Sequence, residues 1–236
     1  MRPSTVTVTA GRTPSVSLAI AAVVGLGVLF GCTGAPPETT RVETTLVYVQ
    51  DTELDAVYEE LTVAAHISDA DGIDDVVTIH IVHNESGYVW TTETEEWRRL
   101  TEEGTELFLV EGLVTPDGSS LPRGRYRLIA LDTAGHESEA SFTLSDPPAP
   151  TETLRFPEIR VEDGVVEVDG PFEESVIYGY REEDGRMLGE AGMSPTIRRP
   201  VDGISWLGGS EDVELFVTAY DTEGGRYVRS GPYTLP

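Results

Sequence analysis

Alternating apolar and polar residues run through most of the chain after residue 44 and predict β-strands. The stretch "LTVAAHI", residues 61–67, has a period of two, and "VVTIHIV", residues 76–82, repeats it. A half-buried strand has this period because its successive side chains point to opposite faces. The pattern returns in "LFLVEGLV", "YRLIALD" and "SFTL", and later in "EIRVEDGVVEVDG", "SVIYGYREEDGRML" and "VELFVTAYDTEGGRYVRSGPYTL". The chain is therefore predicted to be all-β, with helix limited to a turn or two in "ETEEWRRLTEEG", residues 93–104.

Two proline-containing breaks divide this pattern. "TGAPPETTR", residues 33–41, has no apolar period and predicts an extended tether. "SDPPAPTET", residues 145–153, contains three prolines, which the interior of a sheet excludes. The expected organisation is a signal peptide at 1–31, a tether at 32–43, a first β-sandwich at 44–146, a linker at 147–153 and a second β-sandwich at 154–236.

The two predicted sandwiches look like copies of each other. "ALDTAG", residues 130–135, and "AYDTEG", residues 219–224, share the pattern A-x-D-T-x-G, and each follows an apolar strand. Short strands separated by glycine-rich turns, roughly every 8 to 12 residues, are typical of antiparallel sandwiches. The sequence therefore predicts two antiparallel β-sandwiches in tandem.

The segment "GRYRLIALDTAGHES", residues 124–138, resembles the penultimate strand and following hairpin of bacterial immunoglobulin-like and fibronectin type III-like domains. The resemblance implies immunoglobulin-like sandwiches. It also places Tyr126 where that family often has a tyrosine corner, in which the hydroxyl group bonds to the backbone upstream. Leu215 occupies the corresponding position of the second copy. Because such folds carry many functions, the resemblance implies an architecture and no activity.

The first 32 residues contain an export signal. "VSLAIAAVVGLGVLF", residues 16–30, is uncharged and apolar, and it is shorter than the about 20 residues of a membrane span. It leads into "LFGC", which resembles the lipobox of bacterial lipoproteins, with Leu29, Phe30 and Gly31 before the single cysteine, Cys32. The resemblance implies lipidation of Cys32 and a bacterial membrane anchor, with the outer membrane or cell surface favoured. The alternative is an ordinary buried cysteine after a conventional signal peptide.

The charge of the chain excludes one class of partner. Acidic residues number 42 against 16 basic ones, for a formal net charge of −26, and every basic residue is an arginine. Binding to a nucleic acid backbone or to an anionic bilayer surface needs a cationic protein surface. We therefore expect no nucleic-acid partner, and membrane attachment only through the N-terminal lipid.

Carboxylates cluster in "DADGIDD", residues 69–75. Calcium takes six to eight oxygen ligands, which such a loop can supply, but the spacing does not fit an EF-hand with its glycine and glutamate. Two interpretations stay open. One is a calcium site with Asp69, Asp71 and Asp74 as ligands; the other is a solvated turn that bends at Asp71-Gly72.

Trp97 is a candidate for stacking against a sugar ring, because its charged neighbours indicate an exposed segment. The alternative is that this tryptophan belongs to a sandwich core. The sequence contains no G-x-S-x-G, H-E-x-x-H or phosphate-binding glycine loop, so no enzyme is expected. The expected function is a membrane-anchored, non-catalytic lipoprotein that serves as an envelope or cell-surface protein-interaction module. The alternative is a carbohydrate-capture module, and no cofactor besides calcium is expected.

Overall fold

The alternating segments form strands in a computed structural model of the chain, which describes residues 34–102, 105–183, 185–194, 198–207 and 213–234. The strands are β1 (Glu38–Asp51), β2 (Ala56–Ser68), β3 (Val76–His83), β4 (Tyr88–Glu93), β5 (Arg98–Glu102), β6 (Thr105–Leu113), β7 (Gly124–Asp132), β8 (Glu137–Leu144), β9 (Glu158–Glu162), β10 (Val165–Asp169), β11 (Ser175–Arg181), β12 (Met187–Met193), β13 (Arg199–Pro200), β14 (Val213–Asp221) and β15 (Arg226–Thr234). Single turns of 3-10 helix lie at Ile73–Asp75, Thr151–Thr153 and Val201–Gly203. Within the described residues, no helix is long and apolar enough to cross a membrane. The prediction of an all-β protein is confirmed. The prediction of a helical turn within residues 93–104 is wrong where strand β5 lies.

One sheet of eight strands runs through both halves of the chain, in the order β12-β11-β14-β15-β1-β2-β6-β5. A four-stranded sheet, β4-β3-β7-β8, packs against β2 and β6, and a three-stranded sheet, β13-β10-β9, packs against β11 and β14. Neighbouring strands of the large sheet are antiparallel except β1 and β15, which are parallel. The arrangement is therefore sandwich-like in each half, with one sheet common to both.

Strand β1 joins the two halves. It pairs with β2 over its whole length, from Glu38 opposite Ser68 to Asp51 opposite Ala56. Its second half also pairs with β15, from Val47 opposite Tyr227 onward. Residues 38–43, expected in the tether, thus belong to a strand. The division into domains at 44–146 and 154–236 stays a prediction. Strand β1 pairs with β2 of the first half and with β15 of the second.

Each half has its own apolar core between two sheets. In the first half the core side chains include Leu61, Ile81 and Leu128, and in the second half Ile177 and Leu215, all with no exposed surface. Burial of one such side chain stabilises the folded state by about 1.5–3 kcal/mol. The alternation seen in the sequence therefore supplies the main stabilising contacts of both sandwiches.

The proline-rich linker packs against the folded halves. The backbone N–H of Ala149 donates to the hydroxyl oxygen of Tyr48 at 3.0 Å. Leu154 and Phe156 pack on a third apolar cluster that contains Tyr48 and Val228. Because Tyr48 lies in β1 and Val228 in β15, this cluster connects the linker to the shared part of the large sheet.

Tyr126 forms the tyrosine corner that the family resemblance implied. Its hydroxyl group donates to the backbone oxygen of Pro122, four residues upstream, at 2.6 Å. The ring is fully buried and stacks on Phe142, with ring centroids 5.1 Å apart. This bond fixes the entry of the chain into β7.

Candidate ligand-binding groove

The eight-stranded sheet has an outer face that the two smaller sheets leave open. On β11, Ile177 points into the second core, so Tyr178 and Tyr180, on either side of Gly179, point outward. On β2, Leu61 and Val63 are in the first core and Thr62 points outward. The outer face is therefore formed by the residues that alternate with the core residues along each strand.

This outer face is concave and forms a groove of about 610 Å³. Every strand of the large sheet and the β11–β12 turn contribute to it. The lining residues are Val47, Glu60, Thr62, Arg98, Glu111, Gly112, Tyr178, Tyr180, Gly185, Met187, Glu190, Glu214, Phe216, Thr218 and Arg229.

Irregular pairing explains the curvature of the large sheet. The register shifts between Leu61 and Val63 on β2, and again between Leu215 and Val217 on β14. A third shift lies at the β11–β12 pair. Bulges of this kind bend a strand and increase its twist. The bent sheet brings β5 and β11 to one groove although five other strands lie between them in the sheet.

Aromatic side chains form one side of the groove. Tyr180 and Phe216 contact each other edge to face, with ring centroids 5.5 Å apart. Burial raises the pKa values of the Tyr178 and Tyr180 phenols above their usual range. These rings therefore present uncharged, partly desolvated surfaces with a hydrogen-bonding group at the end.

Two arginine–glutamate pairs line the rest of the groove. Arg98 binds Glu111 with two hydrogen bonds, Nε to Oε2 at 2.6 Å and Nη2 to Oε1 at 2.9 Å. Arg229 forms an ion pair with Glu60, and its guanidinium carbon lies 6.0 Å from the ring centroid of Phe216. Both arginines of the groove are thus bound to a carboxylate.

Two further carboxylates of the groove have no such partner. Within the described part of the chain, neither Glu190 nor Glu214 forms an ion pair. Burial raises the pKa of Glu214, and the negative charges of Glu53 and Glu182 raise it further. The groove therefore carries more negative than positive charge.

The aspartate loop forms a turn that places three carboxylates together. Gly72 has a φ of 122°, and the backbone N–H of Asp71 donates to Oδ1 of Asp69 at 2.8 Å. Asp69, Asp71 and Asp75 each bring an oxygen within 4.8 Å of the others. Asp74, expected as a ligand, lies apart from this cluster because its carboxylate binds Arg99. The turn at Asp71-Gly72 is confirmed, and calcium binding stays a prediction.

Trp97 is buried, which corrects the expectation of an exposed stacking residue. Its side chain is 8% exposed and belongs to the first core. Its ring meets Phe108 edge to face, with centroids 5.8 Å apart. Arg98, the next residue and the first of β5, faces the groove instead. Charged neighbours in the sequence therefore do not show that Trp97 itself is exposed.

Sequence reasoning did not find the groove. The signal that could have found it is the pair Tyr178 and Tyr180, which flank Gly179 on the positions opposite to the core residue Ile177. What the pattern could not show is that β5, β6 and β11 share one face. That requires the pairing of β1 with β15, between residues about 180 positions apart. The lipobox residues Leu29, Phe30, Gly31 and Cys32 lie outside the described residues.

No family model and no curated protein matches the chain. Among solved structures, the chain is similar to one described as the crystal structure of dimeric latent PorU from Porphyromonas gingivalis, at 12% sequence identity and a TM-score of 0.32. The match covers 84% of this chain and 20% of that chain. The chain thus spans about a fifth of that protein, and a likeness of this size supports no conclusion about function.

Proposed function

We propose that this chain is a membrane-anchored, non-catalytic lipoprotein that serves as a protein-interaction module of a bacterial envelope or cell surface. The groove on the outer face of the eight-stranded sheet is its binding site. The observation that carries the proposal is that all eight strands line this one groove. Protein interfaces are enriched in tyrosine, phenylalanine and arginine, and five of the fifteen lining residues are of these types.

The groove has the rigidity that specific binding requires. Its aromatic and charged side chains project from paired strands rather than from loops, so little conformational freedom is lost when a partner binds. The Arg98–Glu111 and Arg229–Glu60 pairs further restrict the side chains on one side. A partner would therefore meet a preformed surface.

The anchor in this proposal is a lipid on Cys32. The backbone N–H of Ala35 donates to Oδ2 of Asp71, so the folded part of the chain starts within three residues of Cys32. In this proposal the lipid keeps the module at the membrane, where it can contact other envelope proteins.

A second candidate function is carbohydrate capture. The observation that favours it is the set of Tyr178, Tyr180 and Phe216 beside carboxylates in one open groove. Aromatic faces stack on sugar rings, and carboxylates accept hydrogen bonds from sugar hydroxyl groups. In this version the stacking residues are those of the groove, since Trp97 is buried.

Site-specific photocrosslinking in cells separates the two functions. A photoreactive amino acid at Met187, inside the groove, is compared with one at Thr143, exposed on β8 of the smaller sheet. We expect a crosslinked protein from Met187 and none from Thr143. Equal crosslinking at both sites would contradict the first proposal and show a non-specific surface. Glycan-array binding that Tyr178→Ala abolishes, without any protein crosslink, would favour carbohydrate capture instead.

The anchor has a separate test. Cells that express the wild-type chain or the Cys32→Ser variant are labelled with a palmitate analogue and fractionated. We expect label and membrane association for the wild type, and neither for the variant. A labelled, membrane-bound Cys32→Ser protein would disprove lipidation at this position.

A further inference from the structure

The β11 side of the groove, formed by Tyr178, Tyr180, Glu190, Glu214 and Phe216, pairs aromatic rings with carboxylates. Glu190 on β12 is directly opposite Tyr178, and Glu214 on β14 is directly opposite Tyr180. Side chains in such cross-strand pairs have Cβ atoms about 5 Å apart. Each tyrosine ring thus has a carboxylate as its immediate neighbour, on opposite sides of β11.

This combination matches the chemistry of a cation. A guanidinium or ammonium group is attracted to the face of an aromatic ring, and more strongly where the ring is desolvated. A carboxylate beside the ring adds a charge-assisted hydrogen bond. The groove already holds one of its own cations in this way, since Arg229 lies near Phe216 and binds Glu60.

The two arginines that line the groove are already bound to other carboxylates. Among the lining residues the bases are Arg98 and Arg229, and each binds a carboxylate of the first half, Glu111 or Glu60. Glu190 and Glu214 make no ion pair among the described residues. An incoming cation would relieve the unfavourable position of Glu214, which is partly buried beside other negative charges.

We propose that the β11 side of the groove binds arginine or lysine side chains of an extended segment of the partner protein. This inference rests on the proposed function and names the chemistry of the partner. The net charge of −26 favours the same class, because it attracts a basic segment over distance and repels an acidic one. The partner is therefore a protein with a basic, solvent-exposed segment close to the membrane.

The test uses peptides of stated composition and the full chain in detergent. Fluorescent nine-residue glycine–serine peptides carry two arginines, two citrullines or two glutamates, and binding is followed by fluorescence anisotropy at low salt. The groove variant is Glu190→Gln with Glu214→Gln. The matched control is Glu137→Gln with Glu139→Gln, which removes the same two charges from exposed positions on β8.

We expect the arginine peptide to bind the wild type and the control alike, and to bind the groove variant about tenfold more weakly. The citrulline and glutamate peptides should bind much more weakly throughout. Tyr178→Leu supplies a second variant that keeps both carboxylates and should also weaken the arginine peptide. Thermal melting confirms that all variants are folded.

Two results would overturn the inference. Equal weakening in the groove variant and in the control would show attraction to the overall charge and no site. Citrulline binding as strong as arginine binding would show a neutral site. If a Met187 crosslink to an envelope protein persists while the arginine peptide fails to bind, the cation inference is wrong and the proposed function stands. If the crosslink is also absent, both are wrong.

Discussion

Tyr126 shows how one side chain positions the chain at the start of a strand. Its hydroxyl group donates to the backbone oxygen of Pro122, and its ring packs between His83 and Phe142. Tyr126→Phe keeps the ring and removes the hydrogen bond, leaving a carbonyl group without its partner. We expect a loss of about 1 kcal/mol in the free energy of unfolding, measured by urea denaturation. Tyr227→Phe, at an exposed tyrosine, is the control and should leave that free energy unchanged.

The buried phenol of Tyr126 should also make the stability of the protein depend on alkaline pH. Burial raises its pKa to about 12, against 10.0 in the unfolded chain. Because the folded state favours the protonated phenol, its contribution to stability is complete below pH 10 and is lost as the pH rises toward 12. The chain has no lysine to titrate in this window. We expect a steep fall in the wild-type free energy of unfolding between about pH 10 and 12, and a shallower fall in Tyr126→Phe. Parallel pH profiles for the two proteins would contradict this assignment.

The aspartate loop is tested at the same scale. If calcium binds Asp69, Asp71 and Asp75, millimolar calcium raises the melting temperature relative to chelator, and Asp71→Asn abolishes that shift. Asp74→Asn is the matched control, since Asp74 binds Arg99 and lies outside the cluster. The calcium hypothesis therefore predicts a shift in Asp74→Asn equal to that of the wild type. A wild-type melting temperature that is the same in calcium and in chelator leaves the turn as the role of this loop.

At the scale of elements, a buried ion pair connects β2 to the loop before β7. Glu59 is 3% exposed and accepts bonds from Arg123 at 2.7 and 2.8 Å and from the backbone N–H of Leu121 at 2.9 Å. Glu59→Gln leaves the arginine without a negative partner in a largely buried place. We expect a loss of about 3 kcal/mol in the free energy of unfolding. Glu139→Gln, in the exposed pair with Arg127, should cost at most about 1 kcal/mol. Similar losses in both variants would show that burial does not set the importance of these pairs.

The hairpins of the two halves show which elements follow from local sequence. Asp132 ends β7 and Asp221 ends β14, as the repeated A-x-D-T-x-G pattern indicates. In the first turn the left-handed residue is Gly135, with a φ of 84°, but in the second it is Gly225, with a φ of 64°, one residue beyond the aligned glycine. The short-range pattern therefore predicts where the strands end. It does not predict which residue of the turn takes the left-handed conformation.

At the scale of the whole molecule, the shared sheet should make unfolding cooperative. β1 pairs with β2 on one edge and β15 on the other, so neither half can unfold without exposing strand edges and apolar surface of its neighbour. We expect one calorimetric transition, with equal calorimetric and van't Hoff enthalpies. Leu128→Ala, in the first core, should destabilise the protein by about 2–5 kcal/mol and shift this single transition as a whole. Two separate transitions, only one of which responds to Leu128→Ala, would instead show independent domains at 44–146 and 154–236.

Local alternation of apolar and polar residues was enough to predict the all-β class and most of the strands. The turn preference of Asp-Gly predicted the bend at Asp71-Gly72, and the family resemblance implied the tyrosine corner at Tyr126. These features depend on residues within a few positions of each other, where side-chain direction and backbone preference act directly. Other features depend instead on which strands and turns meet in the folded chain. They are the burial of Trp97, the presence of Asp75 rather than Asp74 in the carboxylate cluster, and the groove. The tertiary pairing of β1 with β15 decides the groove, because it joins two distant parts of the chain into one curved face.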